Sequence, residues 1–370
     1  MNRKEYNYWL SNIKNIGIKK IDRLLQGFGC AEEIFRAKEE ELMKFQAQFF
    51  NQTQLSEGDI YELVKSRKPE EIIRNYAKLA KGGIYFVSKE DNEYPDKLRN
   101  IYNGPYSLYI KGKLPGKNQK IVAIVGARDC SHYGREIAKQ ISYELSKEGI
   151  AIVSGLARGI DTYAHMGAIE ARGTTYGVLG SGIDVCYPKE NINLYHEMQR
   201  EGAIISEYAP TTQPFSSNFP MRNRIISGLS DGVLVIEARE KSGSLITVDL
   251  GLEQGKDIFA VPGKVTDRLS GGCNNLIKMG AKLVTSSVDI LEELLPNYQQ
   301  IPNDLKKNNK ILERDGKIVY ACLSFEPMHI EEISVKSGVA LDVLMEQLVL
   351  LELGGFVTQI RKNYYIVKNR

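Results

Sequence analysis

At 370 residues the chain has room for two or three domains, and 42% hydrophobic residues are ample for buried cores, which excludes a disordered or fibrous chain. Lys and Arg total 49 against 46 Asp and Glu, a formal charge of +3 that excludes recognition of a polyanion by bulk charge, so any basic site must be local. Five scattered cysteines with no CxxC pair argue against a disulfide framework and a zinc ribbon and suit a reducing compartment; with no leader-like segment and no apolar run near the ~18 residues of a membrane span, the expected location is the cytoplasm, without membrane attachment.

Residues 1–80 read as a helical domain. The stretches "YWLSNIKNIGIKKIDRLLQGFG" and "CAEEIFRAKEEELMKF" carry apolar residues at helical spacing, interrupted at Gly17 and Gly29. Around Ile16, Gly17, Ile18, Leu24, Leu25, Phe28 and Gly29 the pattern resembles a helix-hairpin-helix, or equally a small helical (SAM-like) bundle serving as an interaction module. From about Ile84 the rhythm changes. Runs rich in Val and Ile at 121–125, 150–153, 175–179, 203–205, 232–236, 257–261 and 282–284 alternate with amphipathic segments, which predicts an extended Rossmann-like parallel sheet over 81–295, covered by helices on both faces. Short runs at 84–87 and 106–110 predict extra strands ahead of it. The polar stretch 296–310, with two prolines, reads as a linker, and 311–370 as a small winged-helix-like domain whose two final strands flank the basic turn Arg361-Lys362.

In an open parallel sheet, ligands sit beyond the carboxyl ends of the strands. The loops there carry Arg128, Arg158, Lys189, Arg222, Arg224, Arg239, Lys241, Lys264 and Arg268. Arg222 and Arg224 fall in the first turns of a helix begun near Asn218 or Phe219-Pro220, where the helix dipole repels cations. An anionic ligand such as phosphate resolves that conflict. The competing reading is that Asp184, Glu207 and Glu237, also at strand ends, absorb the arginines as structural ion pairs. If phosphate is the reason, changing Arg222 or Arg224 to Gln leaves the free protein as stable or slightly more so.

The first loop, "VGARDCSHYG", lacks the G-x-G-x-x-G turn of dinucleotide sites, and no G-x-x-x-x-G-K-[ST] occurs, so NAD and ATP are poor candidates and no cofactor is expected. "GLSDG" at 228–232 matches a hydrolase elbow, but Ser230 follows a helix and precedes a strand, the reverse of what the elbow needs. His132, His165, His196 and His329 show no metal spacing; each reads as surface or packed, and no metal site is expected. Phe215 and Phe219 stand beside the arginines, and Phe219 reads either as a stacking face for a base or as a hydrophobic staple on its own helix. The 20 tyrosines read as compositional bias.

Taken together, "VGARDCSHYG", "SGLARGID", "GVLGSGIDVCYPKEN", "ISEYAP", "FPMRNRIISGLSDGVLVIEA", "SGSLIT" and "FAVPG" resemble, in order and spacing from about Ile84 to Leu295, the DNA-processing protein DprA (Smf) family. The resemblance implies a non-enzymatic protein that binds single-stranded DNA, protects incoming DNA during natural transformation and loads the RecA recombinase, usually as a homodimer. It places the family's DNA-contacting arginine on Arg128 and its aromatic and basic residues on Phe219, Arg222 and Arg224. Gly126, Arg158, Asn223, Ser242, Gly243, Ser244 and Lys264 complete the expected DNA-binding set. Ala127 and Ser216 depart from the family's more usual serine and lysine. Two alternatives stand beside it. One is a LOG-like nucleoside-monophosphate phosphoribohydrolase, for which Ser242-Gly243-Ser244-Leu245 replaces the glycine-threonine turn and Asp249 is the nearest stand-in for the catalytic glutamate. The other is a mononucleotide-sensing module.

Overall fold

The computed structural model describes residues 1–48, 55–296, 298 and 314–367. The expected linker at 296–310 falls, apart from Pro296 and Tyr298, outside the described residues.

The apolar runs form the strands they predict: β1 (Tyr85–Ser88), β2 (Ser107–Gly112), β3 (Ile121–Gly126), β4 (Ala151–Ser154), β5 (Thr175–Leu179), β6 (Ala203–Ser206), β7 (Gly232–Ile236), β8 (Asp257–Ala260) and β9 (Lys282–Leu283). Among the described residues they make one nine-stranded sheet in the order β1-β2-β6-β5-β4-β3-β7-β8-β9. β3 to β9 run parallel, while β1 and β2 add an antiparallel edge beside β6. Every residue of β4, β5, β6 and β7 is buried, because helices cover both faces. On one face Ala138, Ile141 and Leu145 of the His132–Lys147 helix and Ala164 and Ala168 of the Ile160–Glu170 helix pack on Val122, Ile124 and Ile152. On the other, Ile225, Ile226 and Leu229 of the Asn218–Leu229 helix and Val248 of the Gly243–Glu253 helix pack on Ala123, Val125, Val233 and Val235.

The chain winds outward from β3 through β4 and β5 to β6, then returns to place β7 on the other side of β3. The crossing point lies where Gly126 pairs with Ile236, at the carboxyl ends of both strands, and the loops there splay to opposite faces and leave a crevice.

The helices of residues 3–81 gather around Trp9, Leu10, Leu24, Ile34, Leu42, Ile60 and Leu63. Gly17 caps the Ile18–Phe28 helix and Gly29 ends it, with Ile16, Ile21 and Leu24 buried beneath. Packing continues across residue 80. Asn7 Nδ2 donates to Ser88 Oγ at 2.9 Å, Tyr106 Oη donates to Asn7 Oδ1 at 3.0 Å, and Tyr109 Oη donates to Asn12 Oδ1 at 2.9 Å. Residues 314–367 form the Arg314–Cys322, Ile330–Ser337 and Leu341–Leu353 helices and a three-stranded sheet of β10 (Met328–His329), β11 (Val357–Arg361) and β12 (Tyr364–Val367), a winged-helix arrangement. The architecture is the extended Rossmann-like α/β sheet with a helical N-terminal region and a winged-helix C-terminal region. No helix among the described residues is long and apolar enough to cross a membrane.

Candidate nucleic-acid interface

The loop after β3 is held by its own backbone. Ala127 N donates to Glu237 O at 2.7 Å, and the Glu237 carboxylate accepts from Ser131 N at 2.8 Å and from the Ser131 hydroxyl. Ser131 in turn caps the His132–Lys147 helix through Gly134 N at 3.1 Å. Ile160 N donates to Ala127 O at 3.2 Å, and Gly159, at φ +76°, lies so close to the carbonyls of Ala127 and Arg128 that any side chain there would strike backbone. The tie orders the loop while leaving the Arg128 side chain exposed.

Arg128 crosses the face of Phe219, its guanidinium 5.4 Å from the ring centroid. Phe219 also meets the Tyr187 ring at 5.7 Å and presses on Gly180, where a Cβ would approach it to 2.9 Å. Tyr187 is 48% exposed, so flat aromatic surface remains open beside a cation; Phe215, 60% exposed, is not among the residues lining the cleft. Tyr187 is a lining residue that the sequence reading does not single out; its one signal is its place in a loop after a strand.

Gly126, Arg128, Phe219, Arg222, Asn223, Ser242, Gly243 and Ser244 line one cleft of about 650 Å³, together with Tyr187, Asp161 and Lys241. That size lies within the roughly 300–1,000 Å³ of small-ligand sites. Asn223 Nδ2 reaches Gly243 O at 3.5 Å, and Ser242 Oγ, capping the Gly243–Glu253 helix, accepts from Ser244 N at 3.4 Å. Neither that helix nor the Asn218–Leu229 helix has an acidic residue in its first turn, so both present uncompensated N-terminal dipoles to the cleft.

Arg222 forms the floor. It is 4% exposed, donates to Val178 O, and leaves its Nε without a partner. Burial pulls its pKa down to about 10, against the raising effect of Asp161, so it stays charged at neutral pH. Burial likewise pushes the Asp161 carboxyl above its usual range, while Arg222 and the amides of Ala157 and Gly155 pull the other way.

Three residues of the expected set stand outside this cleft. Arg224 is 4% exposed and committed elsewhere: Nη2 donates to Glu207 Oε1 and Oε2 at 2.6 and 2.8 Å, and Nε donates to Asn103 O at 2.7 Å. It does not line the cleft, and it makes with Glu207 the ion pair that the competing reading names. Lys264 also lies outside the cleft, its ammonium paired with Glu326 of the winged-helix region. Arg158 faces the adjoining clefts beside Arg128 and pairs with Glu190 at 2.8 Å. Glu237 and Asp184 take no arginine in the described structure; they hold Ser131 and Thr211 N.

The enzyme alternatives find little here. Asp249 is exposed on its helix and is not a lining residue, and the carboxylate that does line the cleft, Asp161, is 7% exposed and accepts from backbone amides. Ser230 is buried, with its hydroxyl donating to Ser227 O. What the cleft offers is one exposed and one buried guanidinium, two helix N-termini and open aromatic faces, a set suited to phosphate and to a planar base.

A family model described as DNA recombination-mediator protein A matches residues 85–295, and a DprA winged helix domain matches residues 305–360. The chain is 44% identical over 243 residues to the DNA processing protein DprA of Streptococcus pneumoniae, covering 64% of this chain and 86% of that protein. Protein Smf of Synechocystis is 31% identical over 396 residues, covering 97% and 98% of the two chains. The X-ray structure of DprA from Streptococcus pneumoniae superposes with a TM-score of 0.55 at 39% identity, covering 75% of this chain and 98% of that one. DNA processing protein A from Helicobacter pylori, a structure described for its single-stranded DNA binding mode, superposes with a TM-score of 0.52 at 29% identity, covering 58% and 97%. With the parallel sheet, its switch-point cleft and the winged helix all in place, the chain belongs to the DprA (Smf) family of DNA-processing, recombination-mediator proteins.

Proposed function

We propose that this protein binds single-stranded DNA in the switch-point cleft, without catalysis and without a cofactor. The observation that carries the reading is the Arg128–Phe219–Tyr187 layer above the buried Arg222, at a place where two helix N-termini converge. Phosphates meet Arg128, Arg222 and the amide of Gly243, and Asn223, Ser242 and Ser244 supply polar contacts; Gly126 lines the cleft, while its lack of a side chain serves the packing of β3 against Ile236 O and Ile160. A base stacks on the aromatic face. Stacking and backbone charge carry no base code, so the protein takes single strands of any sequence. The single-stranded DNA binding described for the Helicobacter pylori relative supports the same reading. In the role that family membership suggests, a homodimer protects incoming DNA and passes it to the RecA recombinase during natural transformation.

Titration with labelled single-stranded and duplex oligonucleotides and with AMP separates the function classes. Single strands are expected to bind best and with little sequence preference, duplex more weakly, and AMP weakly with no release of free base. Tight AMP binding would favour a nucleotide sensor, base release a phosphoribohydrolase, and duplex preference would overturn the reading. The recombinase role predicts that RecA begins hydrolysing ATP on single strands sooner when this protein is present; an unchanged onset contradicts it.

A further inference from the structure

Among the described residues, besides a small cleft of about 160 Å³ that shares Arg128 and Arg222 with the central one, two larger clefts each share a single cation with it. Arg128 also lines a cleft of about 580 Å³ with Arg135 and Tyr163. Lys241 also lines a cleft of about 430 Å³ with Arg239 and Arg268. The first flank has a platform of its own: the Arg135 guanidinium lies 5.6 Å from the Tyr163 ring centroid. In the second flank Arg239, Lys241 and Arg268 are exposed, and no ion pair among the described residues engages any of them. One of the two carboxylates there, Asp267, already accepts from Leu269 N at 2.9 Å.

We infer that the three clefts form one track for a single nucleic-acid strand, with Arg128 and Lys241 as the points where the backbone passes from one cleft to the next. The inference rests on the reading of the central cleft as a single-strand site. Arg158 in the first flank is paired with Glu190, and Asp129 and Glu240 also line the flanks, but Arg128, Arg135, Arg239 and Arg268 make no ion pair among the described residues; cations left so in a row cost self-repulsion in the free protein, which phosphates at successive positions along a strand relieve. Small-ligand recognition needs only the central cleft; cations extending to both sides of it suit a polymer. The flanking arginines act on backbone charge, so their contribution grows with strand length and falls with salt.

The test is a length series of oligothymidines, from about 3 to about 30 nucleotides, spanning the site sizes of known single-strand folds. It is run on the full-length protein and on two variants, Arg239→Gln/Arg268→Gln and Arg135→Gln. In the wild type, affinity is expected to rise with length beyond what fills the central cleft and then level off. Each variant is expected to cut the gain from shortest to longest oligomer, the double variant by roughly tenfold at low salt, and to flatten the salt dependence for long strands by about 0.7 in log–log slope per lost contact. A variant whose length profile superposes on that of the wild type overturns the track on that flank. Failure of the wild type to bind even the short oligomers is a separate result: it removes the central reading, and the track with it.

Discussion

Arg224→Gln is expected to lower the stability of the free protein by about 3 kcal/mol, the low end for removing one partner of a buried ion pair, because Glu207 keeps 19% exposure. The substitution removes the Nη2 group that donates to both Glu207 oxygens and the Nε bond to Asn103 O, and leaves a largely buried carboxylate unmatched. A phosphate role predicts the opposite: an arginine held against a helix dipole for a phosphate is replaceable at no cost to the free protein. Urea unfolding with and without oligonucleotide decides between them. A loss near 3 kcal/mol with unchanged affinity per folded molecule confirms the structural role. A loss below about 1 kcal/mol together with weakened DNA binding would return Arg224 to the site.

Acid is expected to destabilise the protein through His165, which lies beneath the site and is fully buried. Its Nδ1 meets Thr175 Oγ1 at 2.7 Å, and because that hydroxyl donates to Ile152 O at 3.1 Å, the ring must donate from Nδ1. The other nitrogen, Nε2, has no partner, so a proton there would be buried and unsatisfied, near the Arg222 charge. Burial first, then Arg222, push its pKa down to about 3, well below the ordinary 6.5 of a histidine. The unfolded chain therefore binds this proton more readily than the folded one. The stabilising effect of the neutral ring is whole above about pH 6.5 and is lost at about 1.4 kcal/mol per pH unit as the pH falls towards 3. Asp161, whose carboxyl is raised, contributes with the opposite sign, so the comparison is with His165→Gln. Between pH 6.5 and 4.5 the wild type should lose about 2–3 kcal/mol more than the variant by urea unfolding. Parallel pH profiles would show that water or relaxation accommodates the charged ring.

The sheet was legible because strands covered on both faces read as unbroken apolar runs, and the site because strand-end loops in such a sheet are where ligands sit. The pair Arg222 and Arg224 shows what that reading left unused. Residues two apart on a helix point about 200° away from each other, so both arginines could not face one cleft. Arg222 turns in to the floor and Arg224 turns to Glu207. Lys264 was out of reach for another reason, since its partner Glu326 stands 62 residues on, across the boundary with the winged-helix region. Tyr187 lay hidden among 20 tyrosines, and Arg135 sits on a helix rather than in a loop, so neither carried a pattern of its own.

The salt dependence of single-strand affinity, measured for the wild type, Arg128→Ala and Phe219→Ala, tests the central claim most directly. Log K against log salt should fall steeply and linearly for the wild type, and less steeply by about 0.7 for Arg128→Ala, one phosphate contact on a single strand. Phe219→Ala should cost about 1–3 kcal/mol of affinity with little change in slope if a base stacks there. The Arg128 guanidinium lies on the Phe219 ring, so the two losses are expected to be less than additive in the double variant. A flat salt response in the wild type, or a slope that Arg128→Ala leaves unchanged, would contradict a single strand held by its phosphates in this cleft.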